Sequence, residues 1–558
     1  MIFFALIRLI LLMNKNTNLN NTKYIFVTGG VVSGIGKGIC AASIGNILKS
    51  SGYNISALKM DPYLNIDPGT MSPYEHGEVY VLADGSETDL DLGNYERFLD
   101  TELDKNSSIS SGSIFQNILD KERKGDYLGK TVQIIPHVTD YIQEQFAITK
   151  SDNQIKIIEI GGSTGDIEAE VFLESLRQFK IKHQSQILHI HLGYIPYLKV
   201  VGEYKSKPLQ NSTKELLKKG LQPDVIVIRY EEQEGKTFSN NFLEKIALYC
   251  NTQVQNIIQL PDLDSIYQSP KFLLDNSNIL QVLNVFLKTD LKPQLNKFFL
   301  ESLKKHEKTI KIALIAKYSG LSDSYLSVID SLKIASSYNK INIVIDILDS
   351  EELDFDNLGI YDGFVVPGGF GSRGLEQKIK AITYIRENKK PFLGICLGMQ
   401  MAVVEYLSNI CDVKNAISRE MQIEENENYE FCIDLMPDQI NKNIKGASMR
   451  LGNYGCTLKS GTLTYDLYNK KEIIERHRHR LEVQNKYVEL LENNKMIISG
   501  KHYPDTLSQE YLVEIIELDQ SIHPYFVATQ AHPEFLSRPN RPHPLFDGLI
   551  KACKKSLQ

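Results

Sequence analysis

Several features are missing from this 558-residue sequence, and each absence narrows the reading. No two of its seven cysteines, at 40, 250, 396, 411, 432, 456 and 553, form a CxxC pair. That speaks against a zinc site and a disulfide framework, and it places the chain in a reducing, cytoplasmic setting. There is no basic excess: 62 Lys and Arg stand against 69 Asp and Glu, a net charge of −7. The bulk electrostatic case for nucleic acid or an acidic membrane as partner therefore falls away. Long hydrophobic runs are absent too. The opening "MIFFALIRLILLMNKN" is broken by Arg8 and is shorter than the roughly 20 residues of a spanning helix. No small-residue cleavage site follows it. Residues 1–22 are expected to be a disordered tail or a stretch ahead of a true start at Met13, with 14–22 a polar tether. No internal repeat is detectable, so a chain of this length calls for two or more domains.

What is present alternates regularly. With 42% apolar and 23% charged residues, the composition is that of a globular protein. From Tyr24 onward, short apolar runs such as "YIFVTGG", "ISALKMDPYLN", "IKIIEIGG", "QILHIHLGYIP" and "PDVIVIRY" alternate with amphipathic stretches. Strands that end in glycine and alternate with helices indicate a parallel sheet wound on both sides. The stretch 289–308 is polar and charged and is expected to be a helical linker. The alternation then restarts with "IKIALIAKY", "INIVIDILD", "YDGFVVPGGFG", "KPFLGICLGMQ" and "YFVATQAHPEF". The expected fold is α/β, with two doubly wound α/β domains in series at 23–288 and 309–558.

The first glycine-rich turn, "VTGGVVSGIGKG", is a variant of the phosphate loop G-x-x-x-x-G-K-[ST]. Gly36-Lys37 is present, but Gly38 replaces the hydroxyl residue that would hold magnesium, and Val31 replaces the first glycine. A helix starting inside this run would turn its free N–H groups toward a phosphate, with Lys37 as a point charge and Ser33 as a hydroxyl. Metal ligands must then come from elsewhere. "ETDLDLG" puts Asp89 and Asp91 on one side of an extended segment, and Glu159 closes an apolar strand. A single loop aspartate is usually solvated; a glutamate ending a buried strand is costly unless paired. Asp91 and Glu159 would suffice for Mg²⁺, which usually takes one or two carboxylates plus phosphate oxygens.

In the second half, Cys396 sits between Gly394 and Gly398 where an apolar strand runs into a helix. This G-x-C-x-G parallels the elbow that exposes a nucleophile above a sheet, and a helix N-terminus favours the thiolate. The other six cysteines read as buried structural residues. In "QAHPEF", His532 and Glu534 are two apart, so an extended segment points both the same way, a base held by a carboxylate. Gly369 of "PGGFG" can offer a backbone N–H to an oxyanion.

The ordered motifs "YIFVTGGVVSGIGKG", "KMDPYLNIDPGTMSPYEHGEVYV", "DGSETDLDLGNYERF", "EIGGSTGDIE", "GEYKSKPLQNS", "DLDSIY", "VVPGGFGSRG", "GICLGMQ", "SMRLG", "ERHRHRLEV" and "HPEF" resemble the CTP synthase family from about residue 23 to 553. The resemblance implies a P-loop, dethiobiotin-synthetase-like synthase domain followed by a class I glutamine amidotransferase domain. It implies ATP-dependent amination of UTP to CTP, with ammonia drawn from L-glutamine, GTP as activator and CTP as inhibitor. Carried over to this chain, Ser33, Gly34, Ile35, Gly36, Lys37 and Gly38 form the nucleotide loop. Lys37 and Lys59 would lie near the transferred phosphoryl, and Asp91 and Glu159 would hold Mg²⁺. Lys205, Ser206, Lys207, Pro208, Leu209, Gln210 and Lys245 match the pyrimidine-nucleotide site, and Asp166, Ile167 and Glu168 the segment that recognises CTP. Cys396, His532 and Glu534 would be catalytic, with Gly369, Leu397, Gly398, Met399, Gln400, Glu420 and Arg480 holding glutamine. His76 and Val79 resemble the mouth of an ammonia tunnel. A homotetramer is implied, with no nucleic acid or membrane partner.

The chain departs from the family at two places. Pro261 stands where "SLKDVDSIY" usually has a lysine, removing a charge and an N–H. The lid at 443–449 is less glycine-rich. Another amidotransferase-coupled ligase, of the cobyric-acid-synthase type, would share the loop but not the pyrimidine motifs. A filament-forming regulatory homologue would be expected to have lost residues that are intact here.

Overall fold

The computed structural model of the chain describes residues 22–30, 32–149, 152–301, 304–317, 322–422, 428–435, 449–504 and 510–557. The expectations for 1–21 and for the lid at 443–448 lie outside the described residues. Contacts divide the chain into two compact units, Met1–Asp67 with Asn94–Ser302 and Pro68–Gly93 with Leu303–Gln558. A stretch from early in the sequence, 68–93, thus packs with the second unit.

In the first unit, seven strands form one sheet: β1 (Lys23–Gly30), β2 (Ile55–Asp61), β3 (Ser108–Ser110), β4 (Ile155–Ile160), β5 (Ile187–Tyr194), β6 (Val225–Tyr230) and β7 (Ile257–Pro261), in the order β7-β6-β5-β1-β4-β2-β3. Every pairing is parallel, as the near-continuous apolar runs require of strands covered on both faces. On one face Tyr24, Phe26, Phe146 and Phe179 pack edge to face, with centroids 5.0–5.4 Å apart between Tyr24 and Phe179, Phe26 and Phe146, and Phe146 and Phe179. Full burial of each such ring contributes roughly 1.5–3 kcal/mol. Helix α1 (Lys37–Ser50) follows β1. Pro261 ends β7, a strand at the sheet edge, where a missing N–H is tolerated.

The expected linker at 289–308 is only partly helical, at Lys297–Glu301. Phe298 and Phe299 are buried against Tyr267 and Phe98, with centroids 5.2 and 5.3 Å apart. The charged neighbours of these two rings mask them in the sequence; to residue 301 the stretch belongs to the first unit's core.

The second unit holds a nine-stranded sheet made of β8 (Thr309–Ala316), β9 (Asn342–Asp349), β10 (Gly363–Val366), β11 (Phe392–Ile395), β12 (Arg450–Leu458), β13 (Glu472–His479), β14 (Met496–His502), β15 (Leu512–Leu518) and β16 (Phe526–Thr529). Its order is β9-β8-β10-β11-β16-β15-β14-β12-β13. The first five are parallel neighbours, and these are the five strands the apolar runs predict. The other four extend the sheet in antiparallel fashion.

The nucleophile turn lies between β11 and helix α4 (Leu397–Asn409), counted after α2 (Lys207–Lys218) and α3 (Leu326–Tyr338). Cys396 adopts φ 51° and ψ −103°, a conformation few L-residues take without support from their surroundings. Gly398 allows the helix to approach β10 so closely that a Cβ there would lie 2.0 Å from the Val366 carbonyl oxygen. Gly398→Ala should therefore cost at least about 1–3 kcal/mol through overpacking. Thermal unfolding of the purified chain checks this; an unchanged midpoint contradicts the close approach.

Candidate active site

The strained turn at Cys396 opens into a cavity of about 640 Å³. His532 follows the buried strand β16 and begins a single turn of tight helix at Pro533–Phe535, not the extended segment expected. The contact is made nonetheless: His532 Nδ1 lies 2.7 Å from Glu534 Oε1. The side chains of His532 and Cys396 converge on Gly368, where an added Cβ would be 3.5 Å from His532 Nε2 and 3.6 Å from Cys396 Cβ. The Cys396 thiol points to the Arg478 carbonyl, with Sγ 3.8 Å from the oxygen, and Gln530 Nε2 donates to Sγ across 3.7 Å.

Burial by itself disfavours the imidazolium of His532. The Glu534 carboxylate and the Cys396 sulfur outweigh that and raise His532 to about 10. A folded-state value above the ordinary one of about 6.5 gives stability that is full below that pH and is lost as pH rises through about 10. At neutral pH His532 is therefore protonated, a cation beside the sulfur.

Gly369, Leu397, Gln400, Glu420 and Arg480 line the same cavity, so most of the expected glutamine-holding residues are gathered there. Gly398 and Met399 instead lie in the buried first turn of α4. Glu420 accepts from the Gly371 N–H. Two charged side chains at the site are not singled out by the motifs. Lys317, just after β8, donates to the carbonyls of Phe370 (3.2 Å) and Gly371, and burial lowers it to about 8. Arg478 donates from Nε to Glu87 Oε1 at 2.8 Å. Gly69–Ser72, Glu78 and Val79, from the 68–93 stretch, complete the lining. Lys317 carries the signal that marked Glu159, a charge at the end of an apolar strand.

In the first unit, Gly36 caps α1 with φ 87°, a value that favours glycine. Lys37 is buried and donates to the Gly162 carbonyl at 3.0 Å, whereas Ser33 and Gly34 are exposed. Lys59 and Glu159 face each other across adjacent strands in register, with Nζ 3.4 Å from Glu159 Oε1 and 3.7 Å from Asp61 Oδ1. Tyr95 donates to the other Glu159 oxygen. Buried carboxylates at the ends of β2 and β4, in the same unit as a phosphate-type turn, are hard oxygen donors of the kind Mg²⁺ takes. Asp91 begins the helix Asp91–Leu99, where an extended segment was expected, in the stretch grouped with the second unit. Arg229 braces the turn, donating to the Ile35 carbonyl at 3.0 Å and to the Pro261 carbonyl at 2.8 Å.

Lys205, Ser206, Lys207, Gln210 and Lys245 share a second cavity of about 440 Å³ with Lys236 and Phe238, which the motifs do not single out. Pro208 and Leu209 lie in the first turn of α2, Leu209 fully buried, and neither lines the cavity. Asp166, Ile167 and Glu168 are exposed and do not line it either.

Residues 23–289 match a family model described as CTP synthase N-terminus, and residues 321–552 one described as glutamine amidotransferase class-I. The chain is 49% identical over 541 residues to a CTP synthase of Caldanaerobacter subterraneus subsp. tengcongensis, covering 95% of this chain and 98% of that protein. To a CTP synthase of Methanococcus aeolicus it is 46% identical over 548 residues, with the same 95% and 98% coverage. Among solved structures, the glutaminase domain of Trypanosoma brucei CTPS with bound acivicin is 32% identical, covering 44% of this chain and 94% of that one, with a TM-score of 0.40.

The His532–Glu534 contact generates a prediction. In Glu534→Gln the raising carboxylate is gone and burial lowers His532, so the sulfur loses its cationic neighbour. Alkylation of Cys396 by iodoacetamide at neutral pH should slow roughly 10-fold or more relative to wild type. Equal rates for the two proteins would refute the pairing.

Proposed function

The chain belongs to the CTP synthase family, and on that premise we propose that it forms CTP from UTP at the cost of ATP, with nitrogen taken from glutamine. The observation that carries this reading is the meeting of Cys396, His532 and Glu534 in one cavity with Glu420 and Arg480. Glutamine enters with its α-amino and carboxylate groups toward Glu420 and Arg480. The Cys396 sulfur attacks the side-chain amide carbon. The oxygen of the tetrahedral intermediate turns to the backbone N–H groups of Gly369 and Leu397. His532, held by Glu534, gives its proton to the leaving nitrogen and ammonia departs. Water, deprotonated by His532, then hydrolyses the glutamyl thioester to glutamate.

In the other unit the γ-phosphoryl of ATP passes to the 4-oxygen of UTP, and ammonia displaces it as phosphate. Such a transfer needs positioning and charge neutralisation more than covalent help. Lys37, the N–H groups of the turn Ser33–Gly38 and Lys59 supply both, while Lys205, Lys207, Gln210 and Lys245 hold the UTP. Glu159 would hold Mg²⁺, which offsets charge on the phosphate oxygens when bound. Asp61, which also faces Lys59, adds a carboxylate on the same side of the sheet. Recognition of CTP by Asp166–Glu168, activation by GTP and assembly into a homotetramer belong to the same proposal.

Purified chain given UTP, ATP, magnesium, GTP and either glutamine or ammonium chloride tests it. Wild type should make CTP from both nitrogen sources. Cys396→Ala should lose glutamine-dependent CTP by at least about 10³-fold and keep the ammonium-dependent reaction. No CTP from ammonium, with the fold verified, sinks the synthase reading.

A further inference from the structure

The stretch 68–93 enters the second unit as a small antiparallel hairpin, Tyr80–Val81 paired with Glu87–Thr88. It is anchored on several sides. Glu78 accepts from the backbone N–H and the hydroxyl of Ser327, at 3.2 and 2.5 Å, in the first turn of α3. The Asn453 N–H on β12 donates to the Ala83 carbonyl at 3.0 Å. On β13, Arg476 Nη1 donates to the Val81 carbonyl at 3.1 Å, and Arg478 reaches Glu87. Those two arginines face the reaction with their other ends. The Arg476 carbonyl accepts from the His532 backbone N–H at 2.7 Å, and the Arg478 carbonyl is the partner of the Cys396 thiol.

A third and more direct route runs through one ring. Tyr80 is fully buried. Its hydroxyl donates to the Phe535 carbonyl at 2.8 Å, and its ring meets that of Phe535 with centroids 4.8 Å apart at 62°. Phe535 in turn stacks on the imidazole of His532, centroids 5.3 Å apart and planes within 12°. The imidazole is thus held at Nδ1 by Glu534 and on one face by Phe535, while the main chain of His532 is held by Arg476. The orientation of Phe535 is set by Tyr80.

We propose that Tyr80 is a positioning residue for the cysteine site, its ring holding Phe535 against His532, so that a segment from the synthase half of the sequence sets the geometry of glutamine hydrolysis. The inference rests on the reading of Cys396 and His532 as a glutaminase pair. Tyr80 touches no substrate in this scheme. It acts on the turnover step and leaves glutamine binding to Glu420 and Arg480.

The test uses the full chain, comparing Tyr80→Ala, Tyr80→Phe and Cys396→Ala for glutamate release and for CTP made from ammonium chloride. Tyr80→Ala should lower kcat for glutamate release roughly 10- to 100-fold, as misplacement of a catalytic group does, with KM for glutamine and the ammonium reaction little changed. Tyr80→Phe keeps the ring and should recover most of that loss. Wild-type glutamate release by Tyr80→Ala overturns the proposal, and so does Tyr80→Phe behaving as Tyr80→Ala. If Tyr80→Ala loses the ammonium reaction as well, it has failed to fold. Phe535→Leu, which fills space but cannot stack on His532, then carries the same test, and wild-type kcat in it overturns the proposal. Glutamate release surviving in Cys396→Ala would instead count against the glutaminase reading itself.

Discussion

The close approach of a helix to a strand governs the cysteine site. Helix α4 can lie against β10 only because residue 398 has no side chain, and that approach turns Cys396 out of β11 at a backbone angle that glycine would adopt more readily. The conformation persists because the strands on either side of β11 leave no room to relax: the Cys396 N–H is tied to the Thr529 carbonyl on β16 at 2.7 Å. The sulfur emerges at a helix N-terminus, within reach of a histidine that its neighbours keep charged.

A second constraint is the treatment of buried charge. A charge removed from water persists only when it is paired, and two groups of such pairs lie at or behind the candidate sites. Lys59 lies between Asp61 and Glu159 at the carboxyl ends of parallel strands, the usual place for ligands in such sheets. Behind the cysteine site, Arg450 is held by Glu514 at 2.6 Å and by Glu482 at 3.3 Å. Next to that group, His477 and His479 share a contact of 3.0 Å, both lowered by burial and then by Arg450. These groups lie on and around β13, whose carbonyls accept from the His532 backbone N–H and face the Cys396 thiol.

How much of this was legible in the sequence depended on the kind of signal. Parallel strands buried on both faces announce themselves as apolar runs, and all five of the second unit's parallel strands were legible that way. Its antiparallel extension was not: "ERHRHR" reads as a basic surface, yet Arg476 and His477 are fully buried, because their partners Glu514 and Asn453 are distant in sequence. Cys396, His532 and Glu534 stood out through local spacing, although the turn that joins the last two is helical and not extended. Arg229 and Lys317 went unnoticed although each, like Glu159, is a charge at or near the end of an apolar strand. That pattern was the more general clue. That 68–93 packs with the second unit could not be read, since nothing local tells which of two units a hairpin will join.

That hairpin has a consequence for how the chain is made. Translation delivers Tyr80 and its neighbours long before β8 to β16 exist, so an apolar ring destined for the second core must wait, without its partners, while the first unit's strands emerge. Domains tend to fold as units in the order of synthesis, but here the second cannot close until nearly the last residue has arrived. The two halves are therefore not interchangeable modules: a cut near residue 303 would separate the second unit from a part of its own interior.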